Sequence, residues 1–173
     1  MVFNLEKSLQ VLEKTPAALE AMLHGVDDDW VYKNEGEQTW SPYDIVGHLI
    51  HGEKTDWIPR LEIILAQQAG SVFEPFDRFA QFENSKGKNI QQLLDEFKQL
   101  RKQNLEILRA KNLNEKHFQL IGTHPALGEA TLAQLIATWV VHDLNHLAQI
   151  ARVMAKQYKH EVGPWHTYLG ILK

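Results

Sequence analysis

Ala137-Thr138-Trp139-Val140-Val141-His142-Asp143-Leu144-Asn145-His146-Leu147-Ala148-Gln149-Ile150 is an apolar run interrupted by two histidines four residues apart. Apolar residues recur at helical spacing around it, and on an α-helix positions i and i+4 stand one above the other on the same face. Two imidazoles placed that way can share one metal ion. With nine histidines in 173 residues, about 0.4 such pairs arise by chance, so the pair alone says little. Two histidines hydrogen-bonded inside a helical core explain it equally well. The metal reading needs a third ligand, and His48, in Val46-Gly47-His48-Leu49-Ile50, is the best candidate.

Working outward, Thr131 caps a helix that runs to about Tyr158 and is apolar on most sides, the most buried of the chain. Asn4 to about His24 reads as a first helix, with Asn4 as N-cap and Pro16 either kinking it or dividing it. Gly25 ends it, and the following residues to Thr39 read as loop. Ser41, Pro42 and Asp44 mark the start of a second helix. Its stripe is Tyr43, Val46, Ile50, Trp57, Leu61 and Ile64, with Pro59 a bend. His48 points away from the centre of that stripe, toward solvent or toward a second buried region. Trp40 reads as a hydrophobic staple for this helix start. Gly70 to Asn89 is a long link whose Phe73, Phe76, Phe79 and Phe82 pack it on the body. Ile90 to about Lys111 is a third helix. Asn112 to Ala130 reads as irregular, and a tail from Lys159 folds back over one end. No alternating strand pattern, heptad run or repeat is visible.

Four long amphipathic segments in one domain, residues 1–173, predict an all-α four-helix bundle. The link after the second helix is long enough to cross the bundle and leave helices two and three parallel. A net charge of −4 without a basic cluster argues against nucleic acid as the main partner. There is no cysteine, so any thiol chemistry uses a thiol brought by a substrate. The first residues lack the pattern of a signal peptide and no segment is apolar enough to span a membrane, which predicts a cytoplasmic location and no membrane partner.

Three neutral imidazoles can fill three positions of a divalent ion, leaving the rest for water or substrate. Zn, Ni, Fe, Mn and Co all accept such a donor set. His51 is the rival for the place of His48. His124 and His166 sit in irregular segments from which they could reach a site mouth. His24, His117 and His160 have no motif around them. His142 to His146 also resembles the metalloprotease HExxH with Asp143 for Glu, a third ligand then coming from Glu161 or His166. No substrate-binding strand supports that reading, and Asp143 is more simply a surface residue or an orienting partner for an imidazole N–H. Gln149, Thr138 and Trp139 share the face of the two histidines. A carboxylate-bridged di-iron bundle fails because no Glu lies between Thr131 and Gln157.

Trp40-Ser41-Pro42 followed by Gly47-His48-Leu49, then Gly128-Glu129-Ala130-Thr131-Leu132, then His142 to Ile150, resembles the DinB/YfiT-like superfamily across essentially the whole chain. The resemblance implies an up-down-down-up four-helix bundle, a homodimer, and one divalent metal on His48, His142 and His146. It implies either of two functions. One is a metal-dependent enzyme for a small-molecule substrate, a thiol S-transferase or a hydrolase. The family includes bacillithiol transferases, a mycothiol-dependent isomerase and proteins described as metal-dependent hydrolases. In that case a low-molecular-weight thiol is the cosubstrate of the transferase type. The other is a non-catalytic metal- or ligand-binding stress-related protein.

Overall fold

A computed structural model describes all 173 residues. The first bundle helix is divided into α1 (Leu5–Leu12) and α2 (Thr15–Leu23). Asn4 caps α1, its side chain accepting from Lys7 N at 2.9 Å. The division falls just before Pro16, which lacks the N–H that a continuous helix needs and sits in the first turn of α2. The stretch read as loop holds one short helix, α3 (Asp28–Tyr32), started by the Asp27 side chain on Asp29 N.

The second bundle helix is α4 (Pro42–Thr55) followed by α5 (Trp57–Ala66). Ser41 and Asp44 form a reciprocal capping box at its start. The break is at Asp56, three residues before Pro59, because proline cannot donate to the carbonyl of Thr55. The long link carries α6 (Ala80–Ser85) and leads to α7 (Ile90–Ala110), the third bundle helix, capped by Asn89 and Gln92. After the short α8 (Glu115–Phe118) come β1 (Ile121–His124) and β2 (Gly128–Thr131). The last bundle helix is α9 (Leu132–Gln157). Two 3-10 turns, Gly163–Thr167 and Gly170–Leu172, form the tail, which lays the buried Leu172 back on α9.

The strands correct the reading of 112–130 as wholly irregular. They pair antiparallel with Ile121 opposite Thr131 and His124 opposite Gly128. Four-residue strands are too short to display alternation, so the period that reveals a strand never develops. Packing holds the hairpin in place. A Cβ on Gly122 would lie 2.6 Å from both Ile64 Cγ1 and Phe73 Cε1, so only glycine lets the strand approach α5 this closely. Phe73 N donates to Thr123 O at 2.9 Å, tying the long link to the same hairpin.

Cross-bundle pairs give the helix directions. Lys54 meets Glu96 and Lys111 meets Glu62, so α4–α5 and α7 run parallel. Glu20 meets Lys98 and Glu13 meets Arg109, so α1–α2 and α7 run antiparallel. Leu9 and Leu12 share one core with Ile136 and Trp139, and Leu19 and Leu23 another with Ile150 and Val153, so the first and last helices run parallel. The bundle is therefore up-down-down-up, with the long crossover between the second and third helices.

Two apolar cores fill the bundle. One is built from Leu9, Leu12, Trp57, Leu61, Leu105, Leu108, Ile136 and Trp139, the other from Leu19, Leu23, Ile45, Val46, Leu93, Phe97, Ile150 and Val153. Between them every bundle helix contributes a polar side chain to one buried layer: Thr15, Glu53, Arg101 with Asn104, and Asp143. Arg101 donates through Nη1 to Asp143 Oδ2 at 2.5 Å and to Leu12 O at 2.9 Å. Its Nη2 donates to Glu53 Oε1 at 2.7 Å and to Asp143 Oδ1 at 3.0 Å. Asn104 and Trp139 donate to the remaining lone pairs of Glu53, at 2.9 Å each, and Thr15 Oγ1 lies 2.7 Å from Asp143 Oδ2.

Candidate metal centre

His48 lies on α4 and His142 and His146 lie one turn apart on α9, the helix that faces α4 in the bundle. Their rings meet. His142 Nε2 is 3.1 Å from His48 Nε2 and 3.1 Å from His146 Nε2, and ligand atoms of all three lie within 4.8 Å of one another. His48 and His146 are buried and His142 half-buried. Between solvent and a second buried region, His48 takes the buried region. Trp40 packs on its ring with centroids 4.9 Å apart and Phe76 at 5.2 Å, while Trp57 packs 5.2 Å from the His142 ring. Trp40, read from the sequence as a staple, thus walls the site.

The donor set fits a divalent ion. Two nitrogens each about 2.0–2.1 Å from one ion stand about 3 Å apart, the spacing seen here. A neutral imidazole carries one N–H, and His146 spends its own at Nδ1 on Gln149 Oε1, 2.8 Å away. Its Nε2 therefore presents a lone pair to the other two rings. His48 Nδ1 and His142 Nδ1 are buried without a hydrogen-bond partner. No protein group fixes their tautomers, and a cation at the shared Nε2 face would do so.

Burial pushes His48 and His142 down to about 3, with the neighbouring imidazole of His146 adding to the effect in each case. His146 is lowered by burial as well, against the hydrogen bond to Gln149 and the charge of Asp143. The unfolded chain then takes up protons near pH 6.5, where the folded chain does not. Metal-free protein should lose stability as pH falls below about 6.5, continuing toward about 3, at a slope approaching 1.4 kcal/mol per pH unit for each such histidine. Urea unfolding of chelator-treated protein between pH 7 and 5 measures this. The His48→Gln/His142→Gln double variant should show a visibly flatter profile, and an equal slope in both proteins would contradict the assignment.

The other histidines separate from the cluster. His51 is buried but packs tilted against Phe76 with centroids 4.8 Å apart and is not among the converging rings. His166 lies in the tail turn and Glu161 is exposed just before it, neither in the cluster. His124, at the end of β1, lines a cavity of about 350 Å³ that opens beside His48 and His142. Thr138 lines the same cavity, whereas Trp139 is buried, stacked on Trp57 at 5.5 Å. Asp143 is neither a surface residue nor an imidazole partner. It is fully buried and engaged by Arg101 and Thr15. The carboxylate that the HExxH reading needs as its base is thus tied up by Arg101 and Thr15, which removes that reading.

Sequence reasoning missed Glu53, Arg101 and Asn104 behind the site and Asp56 on the cavity wall, and it read Arg60, with Lys54 and Arg152, as solvated surface charge in preference to an anion clamp, whereas Arg60 is buried on that wall. The signal was available for the first group. Arg101 falls in step with Phe97, Leu105 and Leu108, and Glu53 with Ile50 and Trp57, so charges stand on apolar stripes where they must be paired. Asp56 gains its position from the break before Pro59. Burial pushes its carboxyl up to about 6, against the lowering influence of Arg60.

The architecture recurs in solved structures. The chain superposes on YfiT from Bacillus subtilis with a TM-score of 0.74 at 24% identity, covering 91% of this chain and 87% of that one. YfiT is described as a probable metal-dependent hydrolase with an unusual four-helix bundle topology. TT2238, described as a four-helix bundle protein, gives a TM-score of 0.58 at 17% identity over 84% of this chain and 97% of that one. Both likenesses are of fold. No curated protein matches the sequence. The DinB superfamily model matches residues 11–150, a span that contains all three converging histidines and reaches into all four bundle helices, and the chain belongs to that superfamily.

Proposed function

We propose that the protein is a divalent-metal-dependent enzyme, most simply a hydrolase, in which His48, His142 and His146 hold one ion beside the substrate cavity. The observation that carries this reading is the convergence of three Nε2 atoms at the edge of a cavity of about 350 Å³. The description of YfiT as a probable metal-dependent hydrolase supports it from a relative of the same fold. A bound divalent ion would supply Lewis acidity, lowering the pKa of a water or thiol so that a nucleophile exists near neutral pH.

The chain's own residues complete the site. Gln149 holds the His146 ring with Nε2 facing inward. Trp57 and Phe76 exclude water from one side. Asp56 lines the same cavity, and a carboxyl held near 6 can accept a proton at Oδ2, the oxygen not facing Arg60, and return it to a leaving group. Thiol transfer is the second reading. It is supported by the family resemblance, and the absence of cysteine makes it simple to test, since no protein thiol can stand in for an added one.

Zinc- or nickel-loaded protein mixed with an activated ester, or with a small thiol and a reactive bimane, separates these readings. Hydrolysis or conjugation at least about tenfold faster than with the metal-free protein, a difference of about 1.4 kcal/mol in barrier, is expected in one assay. Rates equal to those of the metal-free protein in both assays, across several metals and thiols, would leave only non-catalytic binding.

A further inference from the structure

Arg60 is buried, 8% exposed, yet its guanidinium is underused. Its Nε and Nη2 are buried and donate to nothing. Asp56 Oδ1 lies 2.8 Å from Nη2, so the two pair by charge along one edge, but without the alignment of a hydrogen bond. The guanidinium stands over the Phe73 ring, 5.4 Å from its centroid, and it lines the cavity that also reaches His48 and His142. Nε and Nη2 are closed off from the cavity, so Arg60 meets it through Nη1, a charged donor group on a wall with few acceptors.

A second donor faces the same space. His124 Nδ1 accepts from Ala126 N and Leu127 N, both at 3.1 Å. The ring proton is therefore on Nε2, and burial, followed by the nearby charge of Arg60, lowers the pKa of the imidazole. Trp57, Phe73 and Phe76 supply apolar wall.

We propose that Arg60, assisted by His124 Nε2–H, grips a carboxylate of the substrate, taking the cavity beside the three histidines as the substrate site. The substrate class that follows is a small carboxylic acid with an apolar or aromatic body. Its acid group rests on Arg60, and its body lies along the aromatic wall toward the Nε2 cluster. A phosphate fits less well, because Asp56 and Glu129 line the same cavity and repel a second negative charge. A carboxylate carries one charge and two acceptor oxygens, one for Arg60 and one for the His124 Nε2–H.

Benzoate and its neutral isostere benzamide are the probes, with binding followed by calorimetry and ligand-observed NMR. Wild type, Arg60→Met and Arg60→Lys are compared, each zinc-loaded and chelator-treated, with circular dichroism checking the fold. Wild type should prefer benzoate to benzamide by about tenfold in both metal states. Arg60→Met should abolish the preference. Arg60→Lys keeps the charge but loses the guanidinium, and should reduce the preference at least about threefold, so it answers the question if Arg60→Met does not fold. A preference that exists only with zinc and survives in Arg60→Met would mean that the ion reads the carboxylate, and the proposal falls. Absence of benzoate binding at about 10 mM also overturns it. Failure to bind zinc would defeat the metal reading while leaving the Arg60 comparison in metal-free protein intact.

Discussion

Replacing Arg101 with Met should lower stability by about 3–5 kcal/mol, because it strands two carboxylates in the middle of the bundle. Arg101 is 1% exposed, and Glu53 and Asp143 are 2% and 0% exposed. No other cation reaches them, since the remaining donors to the pair are neutral: Asn104, Trp139 and Thr15. Burial already raises the pKa of Glu53, and Arg101 holds it back. Without the guanidinium, both carboxyls must take up protons or draw in water. In a chain of this length the loss corresponds to a fall in melting temperature of roughly 10 °C, measurable by calorimetry on chelator-treated protein. The Arg101→Met variant carrying Glu53→Gln and Asp143→Asn removes the stranded charges and should recover a good part of that loss. A change below about 1 kcal/mol in Arg101→Met would show that the layer does not depend on its guanidinium.

The second large effect is on metal affinity, and it should be graded by each residue's place around the three rings. His142 is central, with its Nε2 3.1 Å from each of the other two. His142→Ala should reduce zinc affinity by well over about 100-fold, beyond the 10–100-fold cost of losing a group that only orients a ligand. Gln149→Leu should fall within that 10–100-fold range, because it removes the acceptor that holds the His146 tautomer. His51→Ala should leave affinity unchanged. Calorimetric titration of chelator-treated protein, with elemental analysis of the loaded forms, gives the order. Affinity lost in His51→Ala and retained in His48→Ala would move the site away from the Nε2 cluster.

The sequence carries the helices and the three histidines because both depend on short-range pattern. Caps at Asn4, Ser41 and Thr131 stand where side-chain oxygens satisfy the first free N–H groups, and i,i+4 spacing places His142 and His146 on one face. The choice of His48 over His51 was less legible. Both are buried, and only the approach of α4 to α9 decides which ring meets the pair. The hairpin at 121–131 escaped notice because its strands are held by Gly122 fitting between Ile64 and Phe73, a contact made by residues far apart in the chain. Asp143 was misread for a related reason. Its neighbour on the helix face gives no hint that Arg101, 42 residues away, will claim it.

The charged layer also sets the register of the bundle. A helix displaced by one turn moves about 5.4 Å along its axis, enough to take Glu53 or Asp143 out of reach of Arg101 and leave each alone among leucines. An apolar interface tolerates such slippage far better than a buried ion pair does. Glu53 is on the same helix as His48, and Asp143 sits between His142 and His146. Indexing the two carboxylates therefore indexes the three imidazoles. A register held by the charged layer needs no ion, so the chelator-treated chain should fold with the three imidazoles already together, unlike small metal-dependent domains that wait for the ion to fold.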